Sequence, residues 1–301
     1  MTAAAGSDRD FGPSATRTAL EQRHLILRAI RSFFEREGFT EVETPAVVRS
    51  PGLELHLDAL EVLGGGGPRW LHTSPEYHMK RLLAAGMPRI YQLCKAYRRG
   101  ERGTLHQPEF TLLEWYRTPA GHEDVMGDTE ALVTHAAREL LGSTRIPGLR
   151  SEVDVSPPWE RLSVREAFER YAHASADELL RDEEAFYRTL IEKVEPQLGR
   201  GKPTFLTRYP ASMASLARLC PDDLSVAERF EAYVDGVELC NGFGELTDAV
   251  EQRRRFETDR ATRARLGKAA YPIDERLLSA LEHGLPEAGG NALGVDRLVM
   301  L

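Results

Sequence analysis

Cysteine is scarce in this 301-residue chain: Cys94, Cys220 and Cys240 are the only three, and they lie far apart. They have no metal-ligand spacing, so each is expected to be a small apolar core residue in a reducing cytoplasm. No apolar run approaches the roughly 18 residues that cross a bilayer, and no secretory leader is visible, so no membrane partner is expected. Positive charge is also short. With 39 Lys and Arg against 47 Asp and Glu, the formal charge is −8, which argues against broad attraction to nucleic acid, tRNA included. Repeats and low-complexity tracts are missing. The glycines at 64 to 67 are too contiguous for a dinucleotide fingerprint and read as a hairpin loop.

What remains is a length at which α/β enzymes often form one body around a large sheet, with enough apolar residues for a real core. Residues 1 to about 18 are small and polar and read as a frayed leader. From Leu25 to Phe34, apolar residues recur at helical spacing, with Gly38 as the stop. FTEVETP is extended and ends at Pro45. WLHTS is strand-like, and SPEYHMKRLLAAG begins a helix with Ser74 as N-cap, Pro75 at its first position and Glu76 in its first turn. The stretch from about 121 to 228 reads as helices inserted beside a sheet.

Chemistry concentrates in RRGERGTLHQPEFTLLEWY, Arg98 to Tyr116, which reads as a strand, a tight basic loop and a returning strand. Alternation puts Phe110, Leu112, Glu114 and Tyr116 on one face. Arg98, Arg102 and His106 sit in or beside the loop, where a nucleotide triphosphate could be gripped. In RFEAYVDGVELCNGFGEL, Asp235-Gly236 is a two-residue hairpin signal whose register pairs Tyr233 with Glu238 and Glu231 with Cys240. Glu231 and Glu238 are then diagonal neighbours, about 7–8 Å apart, and their hard oxygens suit Mg²⁺ beside nucleotide phosphates. Asn241, Phe243 and Glu245 are expected directly after the strand. GGNALGVDRLVML closes the chain as a glycine-rich strand and turn leading into a helix that carries Arg297.

EVETP, Arg98 to Tyr116 and GVDR resemble, in order, the three motifs of class II aminoacyl-tRNA synthetases, and HQPEFTLLEWY and ELCNGFGELTDA are most similar to the lysine-specific branch. The resemblance runs from about residue 20 to the end. It implies an α+β catalytic core over 19–301, an antiparallel sheet flanked by helices, with Pro45 at a homodimer interface and ATP bent on the sheet. Carried over, it places Phe110 on adenine, with Arg98 and Arg297 at the phosphates as the catalytic pair. His106 and the neighbouring Arg99, Gly100 and Gln107 fall at the nucleotide, as do Leu239 and Gly294, and Glu231 and Glu238 hold Mg²⁺. The amino acid is implied to meet Ser74, Pro75 and Glu76 at its α-amino group and Asn241 at its carboxylate. Glu245, Tyr116 and Glu114 would hold its distal ammonium.

The motif 1 helix begins too early for an anticodon-binding domain ahead of it. The chain therefore resembles the free-standing family that attaches a lysine-type group, preferably (R)-β-lysine, to a lysine side chain of translation elongation factor P. HTSPEYHMKRLLAAG and PEFTLLEWYR are especially similar to it, as is Ala292 where the tRNA enzymes carry Gly. The resemblance departs in two places: the family's Arg-x-Glu becomes Arg98-Arg99-Gly100, with the acid displaced to Glu101, and Gln107 replaces Asn. Only four residues follow Arg297, too few to support a full motif 3 helix, so an incomplete one is expected. The alternatives are a lysyl-tRNA synthetase core charging tRNA and a non-catalytic binding paralogue.

Overall fold

The computed structural model describes residues 15–64 and 66–301. The leader expected over residues 1 to about 18 lies outside the described residues up to position 14, and helix α1 (Arg17–Arg36) already begins at Arg17. Thr16 caps it by accepting the Ala19 N–H, and Gly38, at φ +73°, ends it in a conformation that L side chains disfavour. Its buried stripe, Ile26, Ala29, Ile30, Phe33 and Phe34, is the one the periodicity predicts, except that Leu25 is only half-buried.

Among the described residues nine strands form the main sheet. They are β1 (Thr40–Glu41), β2 (Arg89–Tyr97), β3 (Glu109–Arg117), β4 (Glu160–Ser163), β5 (Thr204–Pro210), β6 (Leu219–Cys220), β7 (Asp223–Val234), β8 (Val237–Gly244) and β9 (Gly289–Gly294). Their order is β1-β2-β3-β9-β8-β7-β5-β4, with β6 pairing β7; only the β1–β2 and β5–β4 contacts are parallel. The expected antiparallel sheet flanked by helices is therefore present. The 121–228 segment, expected to be helical, is only partly so: after α3 (His122–Leu141) it supplies β4, β5, β6 and the start of β7. The sequence signal is weak there because these strands are short or interrupted by charged residues; pairing with β7 decides β5 and β6, and pairing with β5 decides β4. The hairpin expected around glycines 64 to 67 is supported by the antiparallel pairing of Glu61–Val62 with Arg69–Leu71, position 65 itself lying outside the described residues.

Alternation along β3 divides the molecule. Leu113 and Trp115 are fully buried on one face, in a core shared with α1 and α3. There Phe34 stacks on Tyr91 at 4.5 Å between centroids, and burying such a side chain contributes about 1.5–3 kcal/mol. The opposite face carries Phe110, Leu112 and Glu114 towards a cleft. Tyr116, next in that row, packs into a second core with α2 (Glu76–Ala84), α4 (Ala249–Arg265) and α5 (Glu275–Gly284). Among the described residues no helix is long and apolar enough to cross a membrane.

Candidate active site

The cleft on the open face of the sheet has a volume of about 360 Å³. Its floor is one cross-strand row: Glu114 on β3, then Ala292 on β9, Asn241 on β8 and Glu231 on β7, with buried Gln92 on β2 opposing Glu114 from outside the lining. Neighbours in such a row stand about 5 Å apart at Cβ, so a small extended molecule lying between Glu114 and Asn241 meets an acid, the Ala292 methyl and an amide in turn.

The β7–β8 hairpin turns at Asp235-Gly236, both at positive φ, and pairs Tyr233 with Glu238 as expected. One step further the register differs from expectation. Glu231 opposes Asn241, not Cys240, because Leu239 is an extra residue in β8, a bulge between the Tyr233–Glu238 and Ala232–Cys240 pairs. A bulge reverses face parity. It brings Glu238 and Asn241, three residues apart, to the side that holds Glu231; without it one of them would point into the core. Asn241 and Phe243 thus lie within β8 rather than after it, and only Glu245 follows the strand.

At one end of the cleft, Arg98 lies over the Phe110 ring with its guanidinium carbon 4.9 Å from the centroid, and within 3.8 Å of Glu101 Oε1. Arg297, in the first turn of α6 (Val295–Met300), donates to the Glu238 carbonyl at 2.7 Å and to its carboxylate at 3.1 Å. It also donates to His106 Nε2 at 2.9 Å. Burial and the Arg297 charge hold the His106 pKa below its ordinary value, which keeps Nε2 free to accept that bond. Asp296 is an anchor: its carboxylate accepts the Thr111 N–H and Arg23, tying α1 and α6 to β3. Gln107, Leu239 and Gly294 also line this end.

Glu231 and Glu238 sit together here, with Glu195 behind them. Glu231 is fully engaged, accepting Tyr209 at 2.6 Å and Tyr233 at 2.7 Å on one oxygen and Arg229 at 2.6 Å on the other. Burial and the Glu231 charge raise the Glu238 pKa against the pull of Arg297, and the same causes push Glu195 up to about 7. Surplus carboxylate charge of this kind, on hard oxygen donors, fits a divalent cation. Among the described residues no group of three or more acidic, His or Cys side chains forms a ready-made cage, and Glu238, whose carboxylate accepts only Arg297, is the less engaged of the two acids.

At the other end, Glu114 accepts Ser74 Oγ at 2.6 Å and Tyr116 Oη at 3.0 Å. Burial, then the nearby Glu76, pushes its pKa up to about 8. The α2 N-cap falls on Pro75, one residue later than expected, while Ser74 Oγ still accepts the Glu76 N–H. Glu245 departs most from expectation. It is fully buried and does not line the cleft; Lys80 Nζ lies 2.5 Å from its Oε2 and 2.6 Å from Glu76 Oε1. Burial lowers the Lys80 pKa, but Glu245 and Glu76 together outweigh it and leave Lys80 above the ordinary lysine value. Tyr116 likewise lies behind Glu114, buried and bonded to it. Pro75, Arg99 and Gly100 also fall outside the cleft lining. Arg99 is exposed, with its backbone N–H on the Asp58 carbonyl.

Gly100 sits at φ +82° with open space around its α-carbon. A glutamate would fit there by volume but be strained in backbone. Glu101, next in sequence, is the acid that lines the cleft. Sequence reasoning missed Lys80, Glu54 and Arg229. Lys80 had a signal, the i,i+4 spacing from Glu76 on one helix face; Arg229 had another, two residues before Glu231 on the same strand face. Glu54 stands on an irregular loop and had none.

A twisted antiparallel sheet with this cleft between a basic, aromatic end and an acidic end defines a class II synthetase catalytic core. The chain belongs to the class II tRNA synthetases (D, K and N), which it matches over residues 10–301. More specifically, it is similar to elongation factor P–(R)-beta-lysine ligases: 42% identical to that of Edwardsiella ictaluri over 301 residues, covering 96% of this chain and 92% of the relative. It is 43% identical to that of Pectobacterium carotovorum subsp. carotovorum over 300 residues, with the same coverage.

Proposed function

We propose that this protein is an ATP-dependent ligase that activates (R)-β-lysine, or lysine, as an aminoacyl-adenylate and transfers it to a lysine side chain of elongation factor P. The observation that carries this reading is the single cross-strand row joining the acidic and basic ends of the cleft. A long substrate with an ammonium at one end and a carboxylate at the other spans such a row, and a buried ammonium needs carboxylate partners. Glu114 and Glu76 meet the ammonium groups. Lys80 neutralises Glu245 behind them, so Glu245 and Tyr116 support the site from beneath. Asn241 stands by the substrate carboxylate, which attacks the α-phosphorus of ATP and releases pyrophosphate.

Adenine lies on Phe110 once Arg98 swings from the ring to the α-phosphate. Arg297 exchanges its bond to His106 for phosphate oxygens. Charge developing on the phosphoryl group is then offset without a protein nucleophile. Glu101 takes the place of the acid that Gly100 lacks. Glu238, with Glu231 behind it, would hold Mg²⁺, which when bound supplies further positive charge at the phosphates. Ala292, midway along the row, presents a methyl beside the substrate's amino group and favours the β isomer. Two copies pair through the segment ending at Pro45 as part of the same proposal.

Two assays test the reading. Exchange of pyrophosphate into ATP should depend on lysine or β-lysine, and mass spectrometry of elongation factor P incubated with the protein, ATP and either isomer should record one added lysyl group. Exchange without any mass gain would redirect the activated group to another acceptor; no exchange would remove the ligase reading altogether.

A further inference from the structure

A second cleft of about 600 Å³ lies beside the first, and Glu54, Ser215, Arg229 and Asn241 line both. The two meet where the substrate carboxylate, and hence the carbonyl of the adenylate, would stand under the function proposed above. We propose that Glu54 is the proton acceptor for the acceptor lysine in the transfer half-reaction, and that the second cleft is the route by which that side chain reaches the adenylate.

Glu54 is fixed for such a task. Buried Arg263 on α4 donates to its carbonyl at 2.6 Å and to that of Leu57 at 2.8 Å, and Lys268 donates to the Leu55 carbonyl at 2.8 Å. The loop that carries it is thereby pinned to α4. Its carboxylate folds over Gly52, where any Cβ would collide with Oε2. The charged and titratable groups around it are Glu76 and Tyr77 on α2, Arg98 on the loop before β3, and Asp259 on α4. His56, Glu183, Glu251, Arg254 and Arg255 line the second cleft further out. Burial and then Glu76 push the Glu54 pKa up to about 7, against a weaker pull from Arg98. A carboxylate with that pKa exchanges protons readily near neutral pH.

The first half-reaction needs no such group, but the second does. A lysine side chain arrives as an ammonium and cannot attack until one proton leaves, here to Glu54. The freed nitrogen pair forms the C–N bond at the acyl carbon, and the bond from that carbon to the AMP oxygen breaks, with its electron pair departing on AMP. The second nitrogen proton leaves to water or to the departing phosphate as the amide forms. Glu54 returns its proton to solvent through the open second cleft.

Single-turnover transfer from preformed adenylate to elongation factor P should fall about 10²–10⁴-fold in Glu54→Gln, the usual contribution of a positioned base. The ratio of transfer to pyrophosphate exchange should fall at least tenfold. The unmodified protein's transfer rate should rise with pH through about 7, and the variant should lack that rise. Hydroxylamine, largely unprotonated at neutral pH, needs no base and should trap the adenylate of both proteins at comparable rates. Equal losses in transfer, exchange and hydroxylamine trapping, or transfer by Glu54→Gln with an unchanged pH profile, would overturn the assignment. Absence of exchange in the unmodified protein would instead refute the ligase reading on which it rests.

Discussion

Replacing Lys80 with Met tests how the acidic end of the cleft is held together. Lys80 and Glu245 have side-chain exposures of 2% and 0%, and Glu76 bonds the same ammonium. Met keeps the length and apolar stem but strands Glu245 and Glu76 opposite one another. Removing one partner of a buried pair costs about 3–5 kcal/mol, because the remaining charge is left uncompensated. For a chain of this size that lowers Tm by on the order of 10 °C.

The loss should depend on pH in a set direction. Burial already raises the Glu245 pKa, and Lys80 is the principal influence that lowers it; without Lys80 the folded value moves further above the unfolded one. A carboxylate with a raised folded pKa costs nothing while protonated in both states, and its cost grows as pH rises from the unfolded towards the folded pKa. Lys80→Met should therefore melt closer to the parent at pH 5 than at pH 8. Adding Glu245→Gln should recover more than half of the deficit at pH 8. Thermal melts followed by circular dichroism at the two pH values measure all of this. A deficit independent of pH, or a double variant no more stable than the single one, would refute the account of Lys80 as counter-charge.

Phe110→Ala should raise the KM for ATP on the order of tenfold in pyrophosphate exchange, from a stacking contribution of about 1–3 kcal/mol, and move the KM for lysine much less; equal changes would place the ring elsewhere. Ala292→Gly should shift the ratio of activation rates for (R)-β-lysine and lysine towards lysine, and an unchanged ratio removes Ala292 from specificity. Glu114, with its pKa at about 8 in the folded state, costs stability as pH climbs from 5 to 8. Glu114→Gln should therefore gain on the parent in Tm over that range while losing at least tenfold in lysine affinity, both measurable by melts with and without lysine.

Local rules determined much of this protein from sequence alone. Alternation put Phe110, Leu112, Glu114 and Tyr116 on one face, helical spacing set the buried stripe of α1, and Asp235-Gly236 fixed the turn of the β7–β8 hairpin. These rules act over a few residues and need no partner from elsewhere in the chain. Tertiary structure decided the rest, because burial and register depend on groups distant in sequence. The bulge at Leu239 reset the strand so that Asn241, not Cys240, faces Glu231. Pairing with β7 made Thr204–Pro210 a strand in a stretch that read as helices. Lys80 reached across to Glu245, turning an expected substrate contact into a buried ion pair. Glu54, silent on its loop, was set between two clefts by Arg263, 209 residues further along the chain.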